Sequence, residues 1–160
     1  AHRLARTGLA EARRAIGMLR GDALPGPERL DDLAAEFEAD SGVACTVAVT
    51  GAERDLSANG RLTFYRVAQE ALTNVRKHAI ADRVEIRLDY ATSGARLVVE
   101  DFTRRDQLAP PGVGLADGAG GANGSGYGLT GMRERAELLG GSLTAGPTDT
   151  GYRVDLWVPL

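Results

Sequence analysis

The alternation of apolar and polar positions divides the chain into four helical and five extended stretches. Residues 3–20 set Leu4, Leu9, Ala12, Ile16 and Leu19 at helical spacing between arginines, and the prolines and glycines of 21–27 end that helix. Leu30, Leu33, Ala34 and Phe37 predict a second helix over 28–40, closed near Ser41 and Gly42, where glycine takes a left-handed cap. Val43, Cys45, Val47 and Val49 alternate as one face of a half-buried strand. A third helix is predicted over 62–78. Val84, Ile86, Leu88 and Tyr90, then Leu97 and Val99, mark two strands joined by a turn at 91–94, a hairpin pattern. Residues 103–127 carry almost no large apolar side chain and read as a mobile loop of lid type. A fourth helix over 128–139, stopped by Gly140 and Gly141, precedes strands over 142–145 and 152–158. Strands come in adjacent pairs rather than strictly alternating with helices. That order predicts an α+β two-layer sandwich over a doubly wound parallel fold.

Composition narrows the picture. The chain has 160 residues, 43% of them apolar, which suits one domain with an appendage. No apolar run reaches the ~20 residues that span a bilayer, and no secretory signal pattern opens the sequence. The single cysteine, Cys45, excludes an internal disulfide and reads as a small buried hydrophobe. A net charge of −3 weighs against nucleic acid as a partner, and the only histidines, His2 and His78, argue against a histidine-rich metal centre. Arginine vastly outnumbers lysine, whose only example is Lys77; codon usage in a GC-rich bacterial genome accounts for this. Of 21 glycines, more than half fall between Gly112 and Gly141.

Three segments carry candidate chemistry. In the third helix Phe64, Val67, Ala68, Ala71, Leu72, Val75 and Ala79 share a broad apolar face, with Arg66, Glu70, Thr73, Asn74 and Lys77 opposite. Glu70 and Asn74 lie one turn apart, and Lys77 follows on the next. This could be a plain solvated face. Periodicity alone favours that reading, yet the same residues also make an oxygen site for Mg²⁺ beside a phosphate-binding cation, because Mg²⁺ takes only one or two protein ligands besides water and phosphate. The second segment is a strand ending in Glu100 and Asp101, where a carboxylate can accept a hydrogen bond from an exocyclic amino group. In the third, Gly126-Tyr127-Gly128-Leu129-Thr130-Gly131-Met132 leads into a helix start whose free N–H groups favour an anion.

Taken in order, these segments resemble one family. The run from Phe64 to Ala79, FYRVAQEALTNVRKHA, is similar to the N-box of bacterial sensor histidine kinases of the NarL/DesK type. Gly126 to Arg135 with Leu139-Gly140-Gly141 is similar to that family's second glycine box. The resemblance implies the GHKL (Bergerat) ATP-binding fold, a mixed sheet covered on one face by helices with a flexible ATP lid. It implies that Asn74 ligates Mg²⁺ and that Glu70 orients a water or polarises the phosphoryl acceptor. Lys77 and His78 would lie near the phosphates, and Asp101 would read the adenine amino group. Gly126, Tyr127, Gly128, Leu129, Gly131 and Met132 would form the phosphate-facing segment.

By the same resemblance, residues 1–24 are part of the second helix of a dimerisation and phosphotransfer hairpin, and 25–160 are the catalytic domain. The phosphoacceptor histidine would lie in the first hairpin helix, which this sequence lacks; His2 is a bystander. The implied partners are ATP, the protein's own hairpin, a response regulator, and a second copy in a homodimer, with no nucleic acid. The implied location is cytoplasmic, in a full-length protein anchored to the membrane.

Two positions depart from the family pattern. Thr103 stands where the first glycine box has glycine, and Tyr152 stands where many relatives have threonine. The change at Thr103 motivates an alternative, a degenerate docking module without catalysis. A third reading is another GHKL ATPase, such as an anti-sigma kinase acting on a protein serine.

Overall fold

The computed structural model of the protein describes residues 24–103 and 126–160. The expected first helix over 3–20, and the expected lid over 104–125, lie outside the described residues. A single 3₁₀ turn, Pro27–Arg29, leads into α1, Leu30–Ser41. Then follow β1 (Ala44–Thr50), α2 (Ala58–His78), β2 (Arg83–Tyr90) and β3 (Gly94–Phe102). Beyond the undescribed segment come α3 (Gly126–Leu138), β4 (Ser142–Pro147) and β5 (Gly151–Pro159).

The strands form one mixed sheet in the order β1-β2-β3-β5-β4. Only β1 and β2 run parallel, because α2 carries the chain across between them; the other pairs are antiparallel. Two of those antiparallel pairs are hairpins. The Ala91 N–H donates to Gly94 O at 2.8 Å in one, and the Thr148 N–H donates to Gly151 O at 2.8 Å in the other. Alternation then decides the layers. Val84, Ile86, Leu88, Leu97, Val99, Val154, Leu156 and Val158 all point to one face and form a core with Leu30, Phe37, Phe64, Val67, Leu72 and Ala136 of the helices. This is the two-layer α+β sandwich the element order predicts.

The element ends explain most differences from the sequence reading. Helix α2 begins at Ala58 rather than 62, because the Ser57 hydroxyl accepts from the Gly60 N–H at 3.1 Å and caps a first turn with no apolar residue to announce it. Helix α3 begins at Gly126 rather than 128, so Gly126 and Tyr127 belong to the helix rather than to the preceding loop. Strand β3 starts at Gly94, where a Cβ would come 2.6 Å from Val158 O, so only glycine fits under the neighbouring strand. Val49 was expected on the buried face of β1 but is 56% exposed, since β1 is an edge strand and the helical layer does not cover that end. The glycine caps hold as read: Gly42 and Gly140 have φ of 72° and 75°.

The outer face of the sheet is polar but not loosely so. Glu100 is buried, receiving the Arg87 guanidinium at 3.1 Å and the Arg153 guanidinium at 2.9 Å. Glu100 and Asp101, adjacent acids at one strand end, therefore face opposite sides of the sheet. The first closes an ion-pair ladder, and the second enters the space under the helices.

Candidate functional site

Helix α2 brings its chemistry to the sheet as the periodicity predicts. Its apolar stripe is buried to Val75, while Glu70, Thr73 and Asn74 are half-buried and Lys77 and His78 are exposed at its C-terminal end. Among the described residues one side-chain atom is buried without a hydrogen-bond partner, the amide oxygen Oδ1 of Asn74. A buried acceptor left without a donor costs roughly 1–3 kcal/mol, so such an atom calls for a water or a ligand to satisfy it. An oxygen acceptor one turn from the Glu70 carboxylate is the donor type that Mg²⁺ takes. Among the described residues no cluster of three or more His, Cys, Asp or Glu converges.

Helix α3 meets α2 at this point. The Gly128 backbone lies so close to Glu70 that a Cβ would fall 2.2 Å from Oε1 and 2.7 Å from Cδ. Gly128 is thus a close-approach glycine, setting the first turn of α3 against the Glu70 carboxyl. Leu129 and Met132, both singled out in the sequence, pack partly buried against the core and fix the pitch of that turn. Gly131 is different. Open space surrounds it, so no contact here requires glycine. Gly126 opens the helix and Tyr127 follows it.

Asp101 lies on the inner face of the sheet, in the penultimate position of β3 and 4% exposed. Burial pushes its carboxyl above the ordinary carboxylate value; the Tyr152 backbone N–H, donating to it, pulls the other way, and nearby Glu100 adds to the rise. Asp101 pairs directly with Tyr152 across β3 and β5. Beside them Gly151 makes the approach possible: a Cβ there would lie 2.0 Å from Asp101 O and 2.6 Å from its Oδ1. Motif reading missed Gly151. Its signal was a glycine opening the strand that pairs with the acid.

Thr103, in the expected glycine position, takes no left-handed backbone, since no non-glycine among the described residues has positive φ. Its N–H donates to Thr150 O at 2.7 Å, and its hydroxyl donates to Ile80 O at 2.8 Å. The threonine therefore ties the end of β3 to the β4–β5 turn and to the segment after α2. It does so without strain.

Glu70 and Asn74 thus share one helix, Gly128 at the start of α3 packs against Glu70, and a buried carboxylate lies on the central strand. The family model described as "Histidine kinase-, DNA gyrase B-, and HSP90-like ATPase" matches residues 59–160. The chain belongs to this family, and its similarities lie with the histidine kinases. It is 36% identical over 157 residues to the signal transduction histidine-protein kinase/phosphatase UhpB of Salmonella typhimurium, covering 92% of this chain and 28% of that protein. It is 32% identical over 163 residues to the sensor histidine kinase YxjM of Bacillus subtilis, covering 98% of this chain and 36% of that one. The chain thus spans about a third of the length of these curated relatives.

Solved structures agree on the fold. The blue-light activated histidine kinase of Erythrobacter litoralis aligns with a TM-score of 0.59 at 24% identity, covering 85% of this chain and 42% of that one. The mycobacterial sensor histidine kinase MprB aligns with a TM-score of 0.55 at 19% identity, covering 82% and 92%. Among the described residues no helix is long and apolar enough to cross a membrane.

Proposed function

We propose that residues 25–160 are the ATP·Mg²⁺-binding catalytic domain of a two-component sensor histidine kinase, with 1–24 the end of its dimerisation hairpin. The γ-phosphoryl group passes to a histidine on that hairpin and from there to a response regulator. The observation that carries this reading is the buried, unpartnered Asn74 Oδ1 one turn from Glu70, whose carboxyl meets the start of α3.

In this reading Asn74 holds Mg²⁺, which supplies charge neutralisation for the phosphates. Glu70 orients a water or polarises the acceptor histidine, and Asp101 accepts from the adenine amino group. The segment from Gly126 through Met132 sets the start of α3 at the phosphates, to which the free N–H groups of its first turn donate. Lys77 and His78, exposed at the end of α2, supply positive charge and a hydrogen-bonding ring near the phosphate tail. Catalysis is positioning and charge stabilisation, as in phosphoryl transfer generally.

Calorimetric titration with ATP tests the assignment. Wild type binds ATP more tightly with Mg²⁺ than without, and Asn74→Ala loses that difference. Equal affinity in Asn74→Ala and wild type at saturating Mg²⁺ refutes it.

The docking-module alternative rests on Thr103 replacing a glycine. The strain-free backbone there and the two hydrogen bonds it makes support a strand end rebuilt around threonine rather than a pocket lost. Similarity to sensor histidine kinases over most of the chain favours a histidine acceptor over a protein serine.

A further inference from the structure

Strand β1 forms one edge of the sheet, and among the described residues no strand lies beyond it. Successive backbone groups of a strand point to opposite sides, so one set bonds β2 and the other faces outward. The Cys45 N–H donates to Glu38 Oε1 at 2.6 Å, which puts Cys45, Val47 and Val49 in the outward set. Native sheet edges are commonly blunted by charge, proline or a break in the strand. The opposite edge, β4, ends in Gly146 and Pro147. Beyond Cys45, β1 has no such device: Thr46 to Thr50 carries neither charge nor proline. Thr46, Ala48, Val49 and Thr50 are exposed, and Val49 is so although its side chain lies on the inner face. Moreover, Thr46-Val47-Ala48-Val49-Thr50 reads the same in both directions.

From this edge and its palindrome we infer that β1 is a self-association surface whose partner is a second copy of this chain. The two β1 strands lie antiparallel about a two-fold axis at Ala48 and join the sheets into one. In that register Thr46 faces Thr50 of the second copy, Val47 faces its Val49, and Ala48 faces Ala48. Val47 and Val49 exchange backbone hydrogen bonds with their opposites, and each exposed Val49 comes to rest against a Val47 across the seam. No charge meets a like charge. Glu38 holds the Cys45 N–H at one end of the segment, and Gly51, with φ of 79°, ends the strand at the other. A foreign strand would gain the same backbone bonds without the matched side-chain pairs. So short a seam buries far less than the ~1,200 Å² of a stable interface, so it forms at high concentration or between copies already tethered. The inference is independent of the ATP reading.

Disulfide trapping of the 160-residue chain at high concentration tests the register. Ala48→Cys sets two thiols opposite each other at the axis, a non-hydrogen-bonded pair with Cα atoms about 4.5 Å apart and within disulfide reach. Thr46→Cys, equally exposed on the same face, leaves its two thiols about 13 Å apart along the strands. Under mild oxidation Ala48→Cys gives a covalent dimer about tenfold faster than Thr46→Cys, because only the first pair meets disulfide geometry. Adding Val49→Pro removes an outward donor, spares the ladder to β2, and abolishes the cross-link. Wild type, whose Cys45 is buried, gives no covalent dimer. Hydrogen exchange of the wild-type chain is a second readout that needs no substitution. The Val47 and Val49 amides slow as protein concentration rises, while those of β4 do not. Equal cross-linking at positions 46 and 48, or Val47 and Val49 amides indifferent to concentration, overturns the inference. Protection that appears only when another protein is added also overturns it and gives the edge to a foreign strand.

Discussion

Asp101 shows how a single residue can be wrong for stability and right for function. An ionised carboxylate in a buried position raises the free energy of the folded state, which is what an upward pKa shift states. The sign follows. The folded protein holds the proton more tightly than the unfolded chain, so the penalty is absent below the unfolded pKa and grows as pH rises through the folded one. Asp101→Asn removes the charge, while its amide oxygen can still accept from the Tyr152 N–H. Its ligand-free melting temperature at pH 7 is therefore expected above that of wild type, with the gap closing as pH falls toward the ordinary carboxylate range. The same variant should lose most of the thermal shift that ATP gives wild type, because an amide can present its NH₂ group to the adenine amino group. A variant less stable than wild type at pH 7 would show that the charge is compensated by contacts other than those named. Cys45 is the contrasting case. Burial and the Glu38 carboxylate push its thiol up to about 11, which suits the small buried hydrophobe that strand alternation predicts.

At the scale of elements, the outer face of the sheet depends on a cross-strand triad. Glu100 of β3 is nearly enclosed, while Arg87 of β2 and Arg153 of β5 reach it from either side with their guanidinium groups about half exposed. Either arginine can satisfy the carboxylate when the other is gone. Arg87→Ala and Arg153→Ala should each lower unfolding free energy by about 0.5–1 kcal/mol, the worth of a partly exposed pair. Removing both strands a buried carboxylate and should cost about 3 kcal/mol, well beyond the sum. Urea unfolding of the four proteins measures this directly; additivity would mean that water already satisfies Glu100. The triad also marks what the sequence concealed. The helix faces and the order of elements along the chain were legible, because periodicity acts within one element. That Gly151 must be small and that Gly128 abuts Glu70 are facts of pairing between strands or helices far apart in sequence. Local pattern carries no record of them. The start of α2 was hidden for a different reason: a hydroxyl cap signals less strongly than the apolar stripe that follows four residues later.

For the molecule as a whole, the site draws Asn74 from α2, Asp101 from β3 and the Gly128 turn from α3. A nucleotide touching all three ties both faces of the core cluster to the helix that follows the undescribed segment. Binding to the folded state alone adds RT ln(1 + [L]/Kd), about 2.7 kcal/mol with free ATP·Mg²⁺ at a hundredfold excess over its Kd. How that gain spreads through the chain tests whether the sandwich is one cooperative unit. Ala136 of α3 is fully buried in the same cluster as Phe64 and Ile86, and Leu129 and Met132 pack onto it, so α3 shares the core rather than standing apart from it. Strand β1, at the sheet edge farthest in strand order from β5, touches none of the proposed ligand contacts. If the domain unfolds as one unit, the slowest-exchanging amides of β1 should gain the same protection on adding ATP·Mg²⁺ as those of β3 and β5. That is about a hundredfold slower exchange under conditions where opening is global. Protection confined to α2, α3 and the end of β3 would instead divide the molecule into a nucleotide-responsive half and an inert edge. Asn74→Ala supplies the control, since its amides should show no Mg²⁺-dependent increment in either half.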